Sequence, residues 1–142
     1  MAITMTTNEL LKYQIDDAEF QLNKVFEGVD SSLDERLTEH AMTPREIATH
    51  LGECYTAVIT ETSGGKHEWG TYTPSTTEWP ALWNEVMELR GRASAAALSS
   101  NGWEKHASAF LPAHDYYHVG QMAMLRLTKD PGWDPYSIYN MG

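Results

Sequence analysis

The 142-residue chain contains one cysteine, Cys54, and therefore cannot form an intrachain disulfide. This excludes the disulfide-stabilised class of small secreted domains and favours a reducing compartment. The chain also lacks an apolar run of the ~20 residues that a membrane helix needs, and its first residues lack the basic and apolar regions of a signal peptide. We therefore expect a cytoplasmic protein without a membrane partner.

Positive charge is scarce as well. Ten Lys and Arg residues stand against 20 Asp and Glu, for a formal net charge of −10. Nucleic-acid backbones and anionic membranes are bound by clustered Lys and Arg side chains. The composition therefore predicts that neither is the main partner of this chain.

Several motifs of known enzyme classes are missing. There is no G-x-S-x-G sequence, no Gly-rich phosphate loop, and no His with a Glu three positions before it. These absences argue against a serine hydrolase of the nucleophile-elbow type, a nucleotide-binding loop and a di-iron carboxylate bundle. No segment alternates apolar and polar residues with the period of a β-strand.

Helical periodicity is present in four segments, where apolar residues recur at three- and four-residue steps. Their approximate bounds are 8–28, 43–63, 77–101 and 111–129. The pattern predicts one all-α domain over residues 1–142, a four-helix bundle. We expect a long connection between the second and third helices, centred on residues 66–76, and an extended C-terminal tail packed on the bundle.

Two histidines, His114 and His118, lie four positions apart in the sequence "HDYYH" of the fourth helix. Residues at this spacing share one helix face, so both imidazoles can reach one metal ion at about 2.0–2.1 Å. The sequence is similar to the H-E-x-x-H motif of zinc proteases, but Asp115 replaces the Glu. Because Asp is one methylene shorter, it would place a general base badly, and we do not predict a protease.

A metal site needs a third ligand, and His50 is the best candidate. It lies between Ile47 and Leu51 on the apolar side of the second helix, where an imidazole needs a partner. An ordinary hydrogen-bonded core histidine is the alternative interpretation. The remaining histidines have polar or loop contexts and are predicted to lie at the surface: His40, His67 and His106.

The order of motifs resembles a known family. "TPREIATHL" at 43–51 is followed by a long loop, a Trp-rich helix and "HDYYHVGQ" at 114–121. This order is similar to that of the DinB/YfiT-like superfamily of metal-binding four-helix bundles. The resemblance implies that His50, His114 and His118 hold one divalent metal ion, Zn²⁺ or Ni²⁺, with water completing its coordination.

The same resemblance implies a small-molecule substrate, since such proteins include metal-dependent hydrolases and thiol-dependent transferases and isomerases. A low-molecular-weight thiol is then a candidate cofactor, and a homodimer through the third helix and the tail is expected. The chain departs from the common family pattern at Asp115 and the two tyrosines between the histidines, which affects the expected shape of the pocket. Asp115 itself is interpreted as incidental to the metal.

Three side chains near the histidines are candidates for catalytic roles: Gln121, Glu53 and Tyr117. Each lies three positions after one of the three histidines and so on the same helix face. Structural roles are the alternatives: a core cap for Gln121, a solvated or paired carboxylate for Glu53 and a core aromatic for Tyr117. Cys54 is either a soft fourth ligand or a small buried thiol. A non-catalytic bundle with a structural or vestigial metal remains the alternative function.

Overall fold

The computed structural model describes residues 4–140, and within that range the chain is all helical, without a β-strand. The prediction of an all-α fold is confirmed. The α-helices are α1 (Thr7–Phe26), α2 (Pro44–Thr62), α3 (Ala81–Ser99), α4 (Glu104–Ser108) and α5 (His114–Lys129). A π-helical turn, Ala109–Ala113, joins α4 to α5. Across residues 4–140, none of the helices combines the length and the apolar character that crossing a membrane requires.

The start of α2 follows its capping signal. The Thr43 hydroxyl accepts the N–H of Glu46 at 3.1 Å, and the Glu46 carboxylate accepts the N–H of Thr43 at 3.0 Å. Pro44 occupies the first helical position, where its missing N–H is not needed. This reciprocal cap determines the register of α2 and therefore which face carries His50.

The apolar core lies between the long helices. Helix α2 packs chiefly on α3, and α1 packs chiefly on α5. At one end of the core, Trp83 of α3 stacks on Phe26 of α1 with ring centroids 4.0 Å apart, and Trp79 stacks on the same ring at 5.7 Å. Both tryptophans pack in or against the core, the role that their helical spacing favours.

Two predicted helix starts differ from the structure. Helix α3 begins at Ala81 rather than near residue 77, because a residue that precedes proline is disfavoured in the helical region and Trp79 precedes Pro80. Helices α4 and α5 and the π-helical turn between them form one continuous helical segment. This segment begins at Glu104 rather than near residue 111. Pro112 does not start it but lies inside the wider π-helical turn, which accommodates a residue without an N–H.

The C-terminal tail is not fully extended as predicted. It forms a 3-10 helical turn at Pro135–Ile138, where the Asp134 carboxylate accepts the N–H of Tyr136 at 2.9 Å. Trp133 and Ile138 pack against the core, so the expected packing of the tail is observed. The last two residues of the predicted tail, 141 and 142, lie outside the described residues.

The segment between α2 and α3 folds back across α2. The Glu53 carboxylate accepts the N–H groups of Gly70 at 2.5 Å and Tyr72 at 3.0 Å. The Tyr72 hydroxyl donates to Glu85 of α3 at 2.6 Å. The Tyr72 ring lies so close to Gly52 that a Cβ at that glycine would come within 2.9 Å of the ring. Two carboxylates and one glycine thus hold this segment beside the helix turn that carries His50.

Candidate metal centre

Helices α2 and α5 bring three imidazoles to one point. His114 is the first residue of α5, His118 follows one turn later, and His50 faces them from α2. The Nε2 atom of His114 lies 3.2 Å from Nε2 of His50 and 3.1 Å from Nε2 of His118. One potential ligand atom from each of the three residues lies within 4.8 Å of the others, so the group can hold one metal ion.

The spacing of the nitrogens matches what one ion would require. Zinc–imidazole bonds are about 2.0–2.1 Å long, which separates two nitrogens by about 2.9 Å at a right angle and about 3.3 Å at a tetrahedral angle. The observed separations of 3.1 and 3.2 Å lie between these two values. Two of the three nitrogen pairs therefore already have the separation that a common ion requires.

The three Nε2 atoms cannot satisfy one another by hydrogen bonding. His118 Nδ1 donates to the Gln121 amide oxygen at 2.7 Å, so neutral His118 carries no proton on Nε2. The Nε2 atom of His114 faces both of its neighbours and carries at most one proton. At least one of the two close nitrogen pairs therefore lacks a hydrogen bond of its own, and a cation between the rings would remove that conflict.

Burial keeps the three imidazoles neutral at pH 7. It is the largest cause of a lowered pKa at each ring, and the neighbouring histidines lower the pKa of His114 and His118 further. The pKa of His118 falls to about 4, although its hydrogen bond to Gln121 opposes the shift. Metal binding requires unprotonated imidazoles, so the site offers its lone pairs without a proton to displace.

Gln121 lies one turn after His118 and orients that ring. By accepting from Nδ1, the amide in this orientation fixes the tautomer that leaves Nε2 free for a ligand. The Gln121 amide also donates to the Tyr117 hydroxyl at 3.4 Å. His114 has no comparable support, because its buried Nδ1 lacks a hydrogen-bond partner among residues 4–140.

Glu53 lies near the centre but points to the loop. Its two oxygens accept the backbone N–H groups of Gly70 and Tyr72, and one of them lies 3.8 Å from His67 Nε2. Burial raises the pKa of Glu53, but the two backbone hydrogen bonds and His67 outweigh it and leave the pKa below its ordinary value. A carboxylate with a lowered pKa is a weaker general base.

His67 was predicted to lie at the surface, and that prediction is wrong. The ring is 8% exposed and meets Trp69 at a centroid distance of 4.7 Å, nearly perpendicular to it. The cause is the return of the loop over α2, a contact between distant residues that local polarity does not indicate. The exposed positions of His40 and His106 agree with the prediction.

Tyr117 is not a core aromatic, since it is 62% exposed. Its ring meets that of His118 at 5.0 Å, nearly perpendicular. Tyr117 and Gln121 line one side of an apolar groove of about 350 Å³, which Met42 and Ile47 line on the other side. Tyr117 therefore contacts both this groove and the ring of His118.

Cys54 lies beside the cluster without joining it. Its sulfur is 3.8 Å from Nε2 of His50, and the group of three potential ligands does not include it. Burial, followed by the nearby charges of Glu53 and Asp115, raises the pKa of the thiol to about 12. Without a metal ion the thiol therefore stays protonated at neutral pH, as a small buried side chain does.

The outer side of His50 opens to solvent. An open pocket of about 410 Å³ is lined by His50 together with Arg45, Thr49 and Glu53. His118, by contrast, is only 1% exposed. The pocket therefore reaches His50 from the α2 side, and none of its lining residues belongs to α5.

Asp115 is not one of the three potential ligands, and its contacts give it a role in the fold. It is fully buried, accepts the Tyr55 hydroxyl at 2.5 Å, and accepts Nε and one terminal nitrogen of Arg90 at 3.1 and 2.9 Å. Arg90 also donates to the carbonyl of Ile15 at 2.7 Å. The signal for this network was Arg90 itself, because an arginine on the apolar face of α3 needs a buried carboxylate.

Comparison with protein-family models, curated proteins and solved structures found no match for this chain. The resemblance to the DinB/YfiT-like superfamily therefore rests on the order of the motifs.

Proposed function

We propose that this chain is a DinB-like metalloprotein that binds one divalent ion, Zn²⁺ or Ni²⁺, through His50, His114 and His118. The observation that carries the proposal is that Nε2 of His114 lies 3.2 Å from Nε2 of His50 and 3.1 Å from Nε2 of His118. The four longer helices support a bundle of this type, with residues 63–80 as its long connection. Imidazole suits both metals, and the donor set does not choose between them.

The chemistry of such a site is that of a Lewis acid. An ion held by three neutral imidazoles keeps its full charge and open positions, and it acidifies a bound water or thiol. Hydrolysis of a small molecule and transfer to a low-molecular-weight thiol both fit this chemistry. Because the Cys54 thiol has a pKa of about 12, a reactive thiol would be supplied by a separate molecule.

The roles of the surrounding residues follow from their contacts. Gln121 keeps His118 in the tautomer that binds metal. Tyr117 is exposed and its ring contacts His118, so its hydroxyl can donate to an oxygen that gains negative charge in the reaction. Glu53 holds the loop in this conformation, and its role as a general base stays a prediction.

The hydrogen bonds of the Glu53 carboxylate favour a second candidate function. Because both oxygens of Glu53 accept hydrogen bonds, no uncommitted carboxylate faces the three histidines from α2. A non-catalytic bundle with a structural metal would have this arrangement. Thermal melting with and without a chelator, combined with assays of loaded protein, separates the two functions.

Metal content tests the first proposal directly. Wild-type protein produced with Zn²⁺ and Ni²⁺ is expected to hold about one ion per chain by elemental analysis. The substitutions His50→Ala and His118→Ala should each remove it, whereas His106→Ala, at an exposed histidine outside the cluster, should leave it. Metal-free wild type, or equal loss in His106→Ala, would overturn the proposal.

Activity and assembly need separate measurements. Loaded and metal-free protein should be compared on panels of small esters, amides and electrophiles with added thiols. Turnover by loaded protein alone supports an enzyme, and its absence with strong metal-dependent stability supports the structural role. The homodimer that the resemblance implies is tested by light scattering, where a monomer at high concentration would contradict it.

A further inference from the structure

A third cavity, of about 370 Å³, lies between the C-terminal half of α2, the α2–α3 segment and residues 103–110. Three aromatic residues from different parts of the chain line it: Trp69, Trp103 and Phe110. Val58 contributes an apolar wall from α2, and Glu61 lies one turn further along the same helix. The proposed metal function does not use this cavity.

The three aromatic residues are held in different ways. Trp103 packs against the core just before α4, so its position is set by the fold. Phe110 lies in the π-helical turn and is 36% exposed. Trp69 is 57% exposed, and its neighbour His67 packs against its ring. Large apolar surfaces therefore remain accessible around one concave space, which is typical of a binding site rather than of scattered surface residues.

Glu61 is the only Asp or Glu that lines this cavity. The lining contains no Lys or Arg and one histidine, His106. Among the ion pairs of residues 4–140, none involves Glu61. The whole chain carries a formal charge of −10. A ligand of positive charge would gain from both the local carboxylate and the overall field, whereas an anion would be opposed by both.

We propose that this cavity binds the ammonium or quaternary ammonium group of a small organic molecule. Aromatic rings attract such a cation through the negative charge of their π faces, Trp most strongly, and several rings around one cation form the recognised cage for it. Glu61 adds a carboxylate at the edge. The combination of two tryptophans, a phenylalanine and one unpaired acid fits a cation better than it fits a neutral apolar group.

The cavity is distinct from the metal centre but adjoins it. Phe110 lies four residues before His114, and Val58 lies eight residues after His50, or about 12 Å along the helix. The cavity uses none of the three histidines. The inference therefore does not depend on metal binding, and it can hold or fail independently of the proposed metal function.

Titration with a matched pair of probes tests the proposal. Choline and its neutral isostere 3,3-dimethylbutanol should be added to full-length protein at pH 8 with a chelator present, and binding followed by calorimetry and NMR. Choline is expected to bind at least about 10-fold more tightly than the isostere. Equal affinity would show an apolar cavity only, and tighter binding of adenosine than of choline would show a site for flat aromatic ligands. Either result, or no binding of choline at 50 mM, overturns the proposal.

Substitutions locate the binding. Glu61→Gln keeps the shape of an exposed side chain and should weaken choline binding about 3- to 10-fold, with little effect on the isostere. Glu39→Gln, at an exposed acid that does not line the cavity, is the matched control. Trp69→Ala should weaken binding more than Trp69→Phe, which keeps a ring. Choline affinity unchanged in both Glu61→Gln and Trp69→Ala would place the cation elsewhere and overturn the inference. Metal content is measured on every variant and should stay as in wild type.

Discussion

The first turns of α5 place polar side chains in the protein interior on two neighbouring faces. The two sets differ in whether the protein itself satisfies their hydrogen-bonding groups. On one face, Asp115 meets Tyr55 and Arg90, and donors satisfy both of its oxygens. On the next face, His114 and His118 meet His50, and their Nε2 atoms cannot all hydrogen-bond to one another. The first cluster is complete without a ligand, whereas the second gains partners only when a cation arrives. A closed network of this kind serves the fold, and an open one is suited to binding.

The largest expected effect comes from breaking the closed network. Removing one partner of a buried ion pair leaves an unpaired charge, which costs about 3–5 kcal/mol. Arg90→Met should therefore lower the free energy of unfolding by about that amount, as measured by chemical denaturation. The double substitution Arg90→Met with Asp115→Leu should recover much of the loss. A loss below about 1 kcal/mol in the single variant would show that the network is not structural.

Metal binding to the three histidines should raise the stability of the folded protein. A ligand that binds only the folded state at 100 times its dissociation constant adds about 2.7 kcal/mol. Zn²⁺ or Ni²⁺ should therefore raise the melting temperature of wild type, and a chelator should reverse the change. His118→Ala should melt at the same temperature with and without metal. A metal-induced shift that persists in this variant would mean that the ion binds elsewhere.

A smaller effect is expected from the residue that orients His118. Loss of such a hydrogen bond to a ligating histidine costs about 10- to 100-fold in metal affinity. Gln121→Ala should show that decrease in competition titrations with a chromophoric chelator, while its metal-free stability changes little. Gln121→Glu keeps the accepting oxygen and should restore most of the affinity. If Gln121→Ala binds metal as wild type does, the contact does not support the site.

The smallest expected effect concerns the loop beside the cluster and its response to pH. Backbone hydrogen bonds lower the folded-state pKa of Glu53 despite its burial, and Ser75 and Tyr72 lower that of Glu85. A lowered folded pKa means that the stabilisation is complete above the ordinary Glu value of about 4.3 and is lost as pH falls through the folded value.

Hydrogen exchange of the Gly70 and Tyr72 amides measures this release. Their protection should fall as the pH drops below about 4, once the general pH dependence of exchange is subtracted. In Glu53→Gln the protection should already be reduced at pH 7 and should lose its acid transition. Protection that is independent of pH in wild type would mean that the carboxylate does not hold the loop.

How much of the site could be anticipated differs from residue to residue. The spacing of His114 and His118 and the cap at Thr43 are local features, so their helices and shared face could be predicted. The prediction that His50 lies opposite them required two further observations. These were the apolar stripe of α2 and the resemblance to the DinB/YfiT-like superfamily. The burial of His67 could not be predicted, because it depends on a loop that returns across α2.

The start of the last helical segment shows the same limit. Pro112 indicated a helix start by the usual local rule, yet the chain is already helical from Glu104. A π-helical turn absorbs the proline, and the turn ends where His114 begins α5. Aromatic packing also escapes local rules, since the cavity at Trp69, Trp103 and Phe110 joins a loop, a helix start and a turn.

Local sequence thus dictates the helices, their caps and the faces on which the histidines lie, because periodicity and capping act between residues a few positions apart. Only the tertiary structure decides that α2 and α5 approach closely enough to bring their imidazole nitrogens within 3.2 Å. It also decides that Asp115 is paired with Arg90, while the Nε2 atoms of the adjacent histidines cannot all hydrogen-bond to one another. The physical reason is that pairing and burial depend on which distant side chains share a space.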